Sequence, residues 1–317
     1  MAGGRGTRLK PLTDSRPKPL MPLLGRAVID HVKDAMLAAG ASNLVVTTGY
    51  RGEDLEVHVA GWRGEGISAR VNHETHPMGT VGSVRLLIEE LDDTFLVGSG
   101  DGVSTLDLGL LLQHHRATGA AVTIGLVEVD DPSSFGIVGL GASSAAPVDG
   151  DLREGMVVKF LEKPRPEEAF SRLINAGVYA VNPEVLSLVP EGAPFDFSRD
   201  LFPLMLEKGL PIAGIMLEGL WFDVGEPHHL LDAQACLLDD EVGSHCEEGV
   251  EVHESAVLRA SLLMKGSSVA QGATVERSIL GAGAKVGAGA TLIDCVLGDG
   301  AIVHEEERLT GVRRAGP

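Results

Sequence analysis

The sequence predicts an α/β protein, with a mostly parallel sheet covered by helices, running on into a short β-helix of hexapeptide repeats. Three observations carry this prediction. Segments of strand length alternate with segments of helical spacing in the first part of the chain, glycines punctuate their ends, and from residue 250 onward apolar residues recur every five or six positions among small ones.

After a glycine-rich opening, Ala27 to Ala39 places Val28, Val32, Met36 and Leu37 at helical spacing and stops at Gly40, which suits a helix closed by a left-handed glycine. Leu44 to Thr48 reads as a buried strand, Gly82 to Leu91 as a helix, Thr94 to Gly98 as a strand, Leu106 to Thr118 as a helix and Ala121 to Val127 as a strand. Strands alternating with helices imply a sheet covered on both faces. Ligands of such sheets sit beyond the carboxyl ends of strands, where loops such as Ser99-Gly100-Asp101-Gly102 emerge. In the last part, Val257, Leu263, Val269, Val275, Leu280, Val286, Leu292, Leu297 and Val303 keep step, as they do when each short strand forms one side of a triangular coil. The expected organisation is a large domain over 1–240, a β-helix of about three coils over 250–303 and a polar, frayed tail over 304–317.

The run Gly3-Gly4-Arg5-Gly6-Thr7-Arg8-Leu9-Lys10-Pro11-Leu12-Thr13, followed by Pro17-Lys18-Pro19-Leu20, is the most informative for function. Closely spaced glycines let backbone N–H groups approach an anion, and Arg5, Arg8, Lys10, Arg16 and Lys18 surround it with positive charge. The chain as a whole has 45 Asp and Glu against 26 Lys and Arg, a formal net charge of -19, so this stretch is a local inversion of sign. A polyanionic substrate such as a nucleoside triphosphate needs such an island.

The acidic balance argues against sequence-independent binding to nucleic acid or to an anionic membrane surface. With no uninterrupted apolar run of about 20 residues and no apolar leader, the cytoplasm is the expected compartment. Cys236, Cys246 and Cys295 fit neither a disulfide framework nor a zinc site. The pairs His73 and His76, His114 and His115, and His228 and His229 lack the supporting ligands of a metal centre, and Trp221 reads as packing.

The opening run resembles the GxGTRLxPLT and PKPL motifs of the sugar-1-phosphate nucleotidylyltransferases. Further matches follow in that family's order: Gly79-Thr80-Val81-Gly82, Gly100-Asp101, Phe135-Gly136, Glu162-Lys163-Pro164, Asn175-Ala176-Gly177-Val178-Tyr179 and Trp221-Phe222-Asp223-Val224-Gly225. Phe195 to Pro203 resembles the mannose-1-phosphate guanylyltransferase-like group. The resemblance implies a Rossmann-like nucleotide-diphospho-sugar transferase fold with a left-handed β-helix. It implies Mg²⁺-dependent joining of a nucleoside triphosphate and a sugar 1-phosphate into an NDP-sugar and pyrophosphate.

Carried over by position, it implies that Gly3, Gly4, Gly6 and Thr7 line the triphosphate, Arg8 and Lys18 neutralise phosphate charge, and Asp101 and Asp223 share the metal. Glu74, Gly79 and Thr80 would meet the nucleoside; Gly136, Glu162, Lys163, Asn175 and Gly177 would hold the sugar phosphate. GTP with mannose 1-phosphate is the expected pair. Glucose 1-phosphate with dTTP or UTP is the alternative, although Pro19 disfavours the thymidylyltransferase subgroup. A non-catalytic regulatory homologue and a hexapeptide acyltransferase are the rival readings. The β-helix is expected to mediate homo-oligomer assembly. The family pattern also has a buried apolar strand ahead of the glycine-rich loop, where only Met1 and Ala2 stand, so a start upstream of Met1 is expected.

Overall fold

A computed structural model of the chain describes residues 1–91 and 93–317. It contains two compact units. The first comprises Met1–Gly3, His31–Gly100 and Ser104–Trp221; the second comprises Gly4–Asp30, Asp101–Val103 and Phe222–Pro317. This division differs from the expected split near residue 240, because the opening loop groups with the C-terminal repeats.

The first unit is built on a six-stranded sheet ordered Phe95–Gly98, Leu173–Val181, Val122–Glu128, Ile212–Met216, Glu154–Glu162, Gly136–Gly141. Along Leu173–Val181, Tyr179 and Val181 enter one core with Ile124, Leu126 and Phe202, while Ile174, Val178 and Ala180 enter another with Leu108 and Leu111. Both faces are therefore covered, as the alternation of strands and helices implies. The pairing is more mixed than that alternation suggests: Val122–Glu128 and Ile212–Met216 are parallel, whereas Leu173–Val181 runs antiparallel to both neighbours. Four strands between residues 122 and 181 follow one another with only a short 3₁₀ turn among them, so no crossover helix enforces parallel pairing.

A separate parallel pair joins Asn43–Thr48 to Ser68–His73. Met1 and Ala2 bond to strands of both sheets: the Ala2 N–H donates to Thr47 O at 2.8 Å, the Met1 ammonium to Gly98 O at 2.8 Å, and the Gly100 N–H to Met1 O at 2.8 Å. The helix Leu108–Thr118 starts on Asp107, whose Oδ1 accepts from the N–H groups of Gly109 and Leu110, and closes on left-handed Gly119. The expected helix over Gly82 to Leu91 is instead an α-helix at Thr80–Arg85 and a 3₁₀ turn at Ile88–Glu90.

In the second unit a β-helix has three faces. One stacks His245–Cys246, Leu262–Leu263, Ile279–Leu280, Val296–Leu297 and Arg313–Arg314; the other two stack four strands each. Equivalent corner positions lie 17 residues apart: Ser278 N–H donates to Ser261 Oγ, and Cys295 N–H to Ser278 Oγ. Leu263, Leu280 and Leu297 point inward with Val269, Val286, Val303, Val275 and Leu292, as the repeat predicts. Val257 does not: it is exposed, and its neighbour Leu258 pairs with Val275 and packs on the core.

The expected tail over 304–317 is also corrected. Arg308–Thr310 and Arg313–Arg314 are strands of the last coil, because Leu309 and Val312 continue the apolar stack. The repeats thus begin before residue 250 and exceed three coils. Among the described residues no helix is long and apolar enough to cross a membrane.

Candidate functional site

Of the residues expected to meet the phosphates and the metal, Gly4, Gly6, Thr7, Arg8, Lys18, Asp101 and Asp223 lie in the second unit and Gly3 in the first. Gly6 has φ 60°, in the left-handed region, and its carbonyl accepts from Leu9 N–H at 3.0 Å and Thr13 Oγ1 at 2.9 Å. A Cβ there would stand 2.9 Å from Lys18 Cβ, so only glycine lets the two segments close on each other. Gly4, Thr7 and Arg8 are exposed on this loop.

Lys18 is buried in the turn Lys18–Leu20, and its Nζ donates to Asp101 Oδ2 at 2.8 Å and to Asp223 Oδ1 at 3.1 Å. Asp101 immediately precedes the strand Gly102–Ser104 and Asp223 ends its partner Trp221–Asp223, so this strand pair carries the two carboxylates to one place. Burial alone would lower the Lys18 pKa, but the charges and hydrogen bonds of the two aspartates outweigh it and hold the ammonium above the ordinary lysine value. The Arg8 guanidinium lies alongside: a Cβ on Gly225 would be 3.0 Å from both an Arg8 terminal nitrogen and Asp223 Oδ2.

Two carboxylates facing one cation form a hard oxygen donor set of the kind Mg²⁺ takes together with phosphate oxygens and water. Among the described residues no group of three or more His, Cys, Asp or Glu side chains is arranged to hold a metal. The pair therefore fits an ion that draws its remaining ligands from substrate and solvent, and fits no ion needing an all-protein cage.

The second set lies in the first unit. A Cβ on Gly3 would be 3.6 Å from Glu74 Oε1, and Glu74 Oε2 accepts from Met78 N–H at 3.1 Å, which fixes the turn before Gly79. Gly79 has φ 72° and passes so close to the Phe195 carbonyl that any side chain would collide with it. Thr80 Oγ1 donates to Asp196 Oδ2 at 2.8 Å and accepts from Phe197 N–H at 2.9 Å, stapling the loop to a π-helical turn, Phe197–Leu201.

On the long strand Leu173–Val181, the register shifts between Asn175 and Tyr179. There Asn175 Nδ2 donates to Tyr179 Oη at 2.9 Å and Ser198 Oγ at 3.0 Å, while its Oδ1 accepts from Gly177 N–H at 2.8 Å. Burial pushes the Tyr179 phenol above its ordinary value. Glu162 ends a strand next to Gly136, where a Cβ would stand 2.7 Å from Glu162 Oε2. Burial raises the Glu162 pKa, which Lys163 and Arg199 counter and Asp196 reinforces. Lys163 is exposed and holds φ 50°, an uncommon conformation for a side-chain-bearing residue, fixed by its N–H bond to Phe135 O at 2.8 Å.

The structure thus gathers Arg8, Lys18, Asp101 and Asp223 in one cluster. It links Gly79 and Thr80 to the 195–201 segment, which also meets Asn175. Asp196, Ser198 and Arg199 belong to these networks, although the motif reading gave them no role; their signal was the polar run inside Phe195–Pro203. Trp221 packs as expected, its Nε1 donating to Ala176 O at 2.8 Å and its ring edge-on to Phe135. His115 is buried, with Nδ1 2.9 Å from Thr123 Oγ1 and Nε2 2.9 Å from Asn182 Oδ1, a structural role.

A family model described as nucleotidyl transferase matches residues 1–240. The chain belongs to the nucleotidyl transferase family. Residues 235–314 match a second model, described as GlmU-like, C-terminal hexapeptide. Among relatives of this nucleotidyl transferase, the mannose-1-phosphate guanylyltransferase of Mycobacterium tuberculosis is 34% identical over 275 residues, covering 85% of this chain and 73% of the relative. The mannose-1-phosphate guanyltransferase of Candida albicans is 33% identical over 252 residues, covering 78% and 66%. The UTP–glucose-1-phosphate uridylyltransferase of Synechocystis is 30% identical over 266 residues, covering 80% and 66%. A nucleotidyl transferase passes a nucleotidyl unit from a triphosphate to an acceptor, so the site has to stabilise charge at phosphorus.

Proposed function

We propose that this nucleotidyl transferase joins GTP and mannose 1-phosphate into GDP-mannose and pyrophosphate, with Mg²⁺ as its metal. The single observation that carries the reading is the buried Lys18 ammonium between Asp101 and Asp223. The similarity to mannose-1-phosphate guanylyltransferases supports the choice of substrates.

In this reaction an oxygen of the sugar phosphate attacks the α-phosphorus, and the bond from that phosphorus to the α,β-bridging oxygen breaks. Its electron pair leaves with pyrophosphate. Attacker, centre and leaving group are all anionic, so the protein's task is to place cations and dipoles before the reaction starts. Lys18 holds positive charge at the α-phosphate, and its bonds to two carboxylates keep its chain from swinging away. The Gly3, Gly4 and Gly6 backbone and Thr7 cradle the triphosphate; Arg8 follows its outer phosphates as they depart. Asp101 and Asp223 would hold Mg²⁺, which when bound supplies positive charge to phosphate oxygens.

In the first unit, Glu74, Gly79 and Thr80 serve the nucleoside. Glu162 accepts from sugar hydroxyls, Lys163 meets the sugar phosphate, and Gly136, Asn175 and Gly177 shape the sugar pocket. No covalent nucleophile is required.

Turnover measured with GTP, UTP, dTTP and ATP crossed against mannose and glucose 1-phosphates tests this. The proposal expects GTP with mannose 1-phosphate to give the highest kcat/KM. A preference for UTP with glucose 1-phosphate would replace the substrate assignment, and no product from any pair would remove the catalytic one.

A further inference from the structure

The segment from Gly4 to Leu20 contains no α-helix and no strand, only three short 3₁₀ turns at Thr7–Leu9, Leu12–Asp14 and Lys18–Leu20. A glycine-rich segment of this kind has little internal cohesion. Nevertheless Leu9, Pro11, Leu12, Pro17 and Pro19 are buried. Leu9 and Leu12 lie in one core to which the helix Pro227–Leu238 contributes Leu230 and Ala233 and the β-helix contributes the outward side of one face. Leu262, Ile279 and Val296 point away from the coil interior and form one core with Leu9, Leu12, Met21 and Met264.

Polar tethers reinforce this contact. Arg313, on the last coil, donates from Nη1 to the Arg8 carbonyl at 2.6 Å, and its Nη2 lies 4.0 Å from Glu226 Oε2. Glu226 directly follows Gly225, against which the Arg8 guanidinium rests. Asp299 pairs with Arg16, and its Oδ1 is oriented by the Ala282 N–H at 2.9 Å. Arg16 also reaches Met264 Sδ at 3.3 Å. Gly298 packs so closely on Pro11 that a Cβ there would stand 3.1 Å from Pro11 Cβ.

We infer that the β-helix is the frame of the phosphate loop, and that Arg313 and Asp299 are positioning residues that set where Arg8 and its neighbouring amides stand. The inference rests on the proposed role of this loop in holding the triphosphate. Arg313 and Glu226 are partly solvated, 46% and 37% exposed, so their ion pair contributes little to folding. The bond to the Arg8 carbonyl fixes geometry instead, and a small displacement of a charge-bearing loop is costly in catalysis. A β-helix serving assembly alone would leave these contacts without kinetic consequence.

The test compares Arg313→Ala, Arg313→Lys and Asp299→Asn with the wild type, and uses Lys285→Ala, on an exposed β-helix position, as the control. The readouts are the KM for each substrate, hydrogen exchange of the amides of residues 6–10, and the melting midpoint. For Arg313→Ala the expected result is a KM for the triphosphate raised about fivefold to tenfold, with the KM for sugar phosphate within about twofold of wild type. Loop exchange should be faster and the midpoint unchanged. Arg313→Lys, which keeps a donor, should recover most of the affinity; Asp299→Asn should loosen the Arg16 end of the loop. Unchanged exchange in Arg313→Ala, or KM values that rise together with a fall in melting midpoint, would overturn the inference. Exchange reads the tether without requiring turnover, so an inactive wild type would defeat the proposed reaction and leave the exchange result to decide this point.

Discussion

The Lys18 ammonium donates to the Asp101 carboxylate at 2.8 Å from a side chain only 7% exposed, and Asp223 accepts from the same nitrogen at 3.1 Å. A buried cation with two counter-charges is held in one place more firmly than a surface lysine. Replacing it by methionine keeps the bulk and leaves the two carboxylates facing each other. Lys18→Met is expected to lower kcat by about 10²- to 10³-fold, the range for removing a preorganised electrostatic group. Lys18→Arg should not restore the rate, because a planar fork cannot occupy the place of a point charge. Steady-state kinetics on the two variants decide this.

Glu162 gives a pH signature. Burial raises its pKa, so the group favours the protonated form in the folded protein more than in the unfolded chain. The sign follows by linkage: its contribution to stability is fully present below the ordinary glutamate value and is lost as pH rises through the raised one. In the proposed role the carboxylate is the stronger acceptor for sugar hydroxyls, because the neutral acid turns one oxygen into a donor and loses the charge. The KM for sugar phosphate should therefore rise on acidification at a pH above the ordinary glutamate range, while Glu162→Gln should raise KM and flatten the profile. An unchanged profile in that variant would assign the titration elsewhere.

Thr80 spends its only proton on Asp196 and accepts from Phe197 N–H. Thr80→Val keeps the shape and strands both partners, at about 1–3 kcal/mol by the usual penalty for unsatisfied groups. Chemical denaturation should show that loss, and the KM for the triphosphate should rise as the Gly79 turn loosens. In a double-mutant cycle with Asp196→Ala the two changes should be markedly non-additive.

Gly136 tests the proposed sugar pocket by crowding. An added methyl would stand 2.6 Å from Phe160 Cζ and 2.7 Å from Glu162 Oε2. Gly136→Ala is expected to raise the KM for sugar phosphate by about tenfold, with the KM for triphosphate little changed. Equal changes in both would point to general unfolding of the strand.

The sequence showed much of this directly. The helix ending at Gly40, the strands at 43–48, 95–98 and 122–128, and the inward Leu and Val ladder were all readable from local periodicity. Less readable was the sheet order, since pairing of Leu173–Val181 with both Phe95–Gly98 and Val122–Glu128 depends on contacts far apart in sequence.

The division into units was also hidden, although a clue stood in the repeats. Leu262-Leu263, Ile279-Leu280 and Val296-Leu297 are double apolar positions, and a coil buries only one of each pair inside. The outward member of each pair had to be covered by something, and it joins one core with Leu9 and Leu12 of the opening loop and with Leu230 and Ala233 of the helix Pro227–Leu238. In the site, the glycines and charged motif residues were legible by type and order. Asp196 and Arg313 were not, because an aspartate at a turn and an arginine near a chain end carry no distinguishing local pattern.

The most direct test of the central claim is turnover against Mg²⁺ concentration for the wild type, Asp101→Asn and Asp223→Asn. The account predicts that each substitution lowers kcat by about 10²-fold or more and raises the Mg²⁺ concentration needed for half-maximal rate. Either variant turning over at the wild-type rate with the wild-type Mg²⁺ dependence would contradict it.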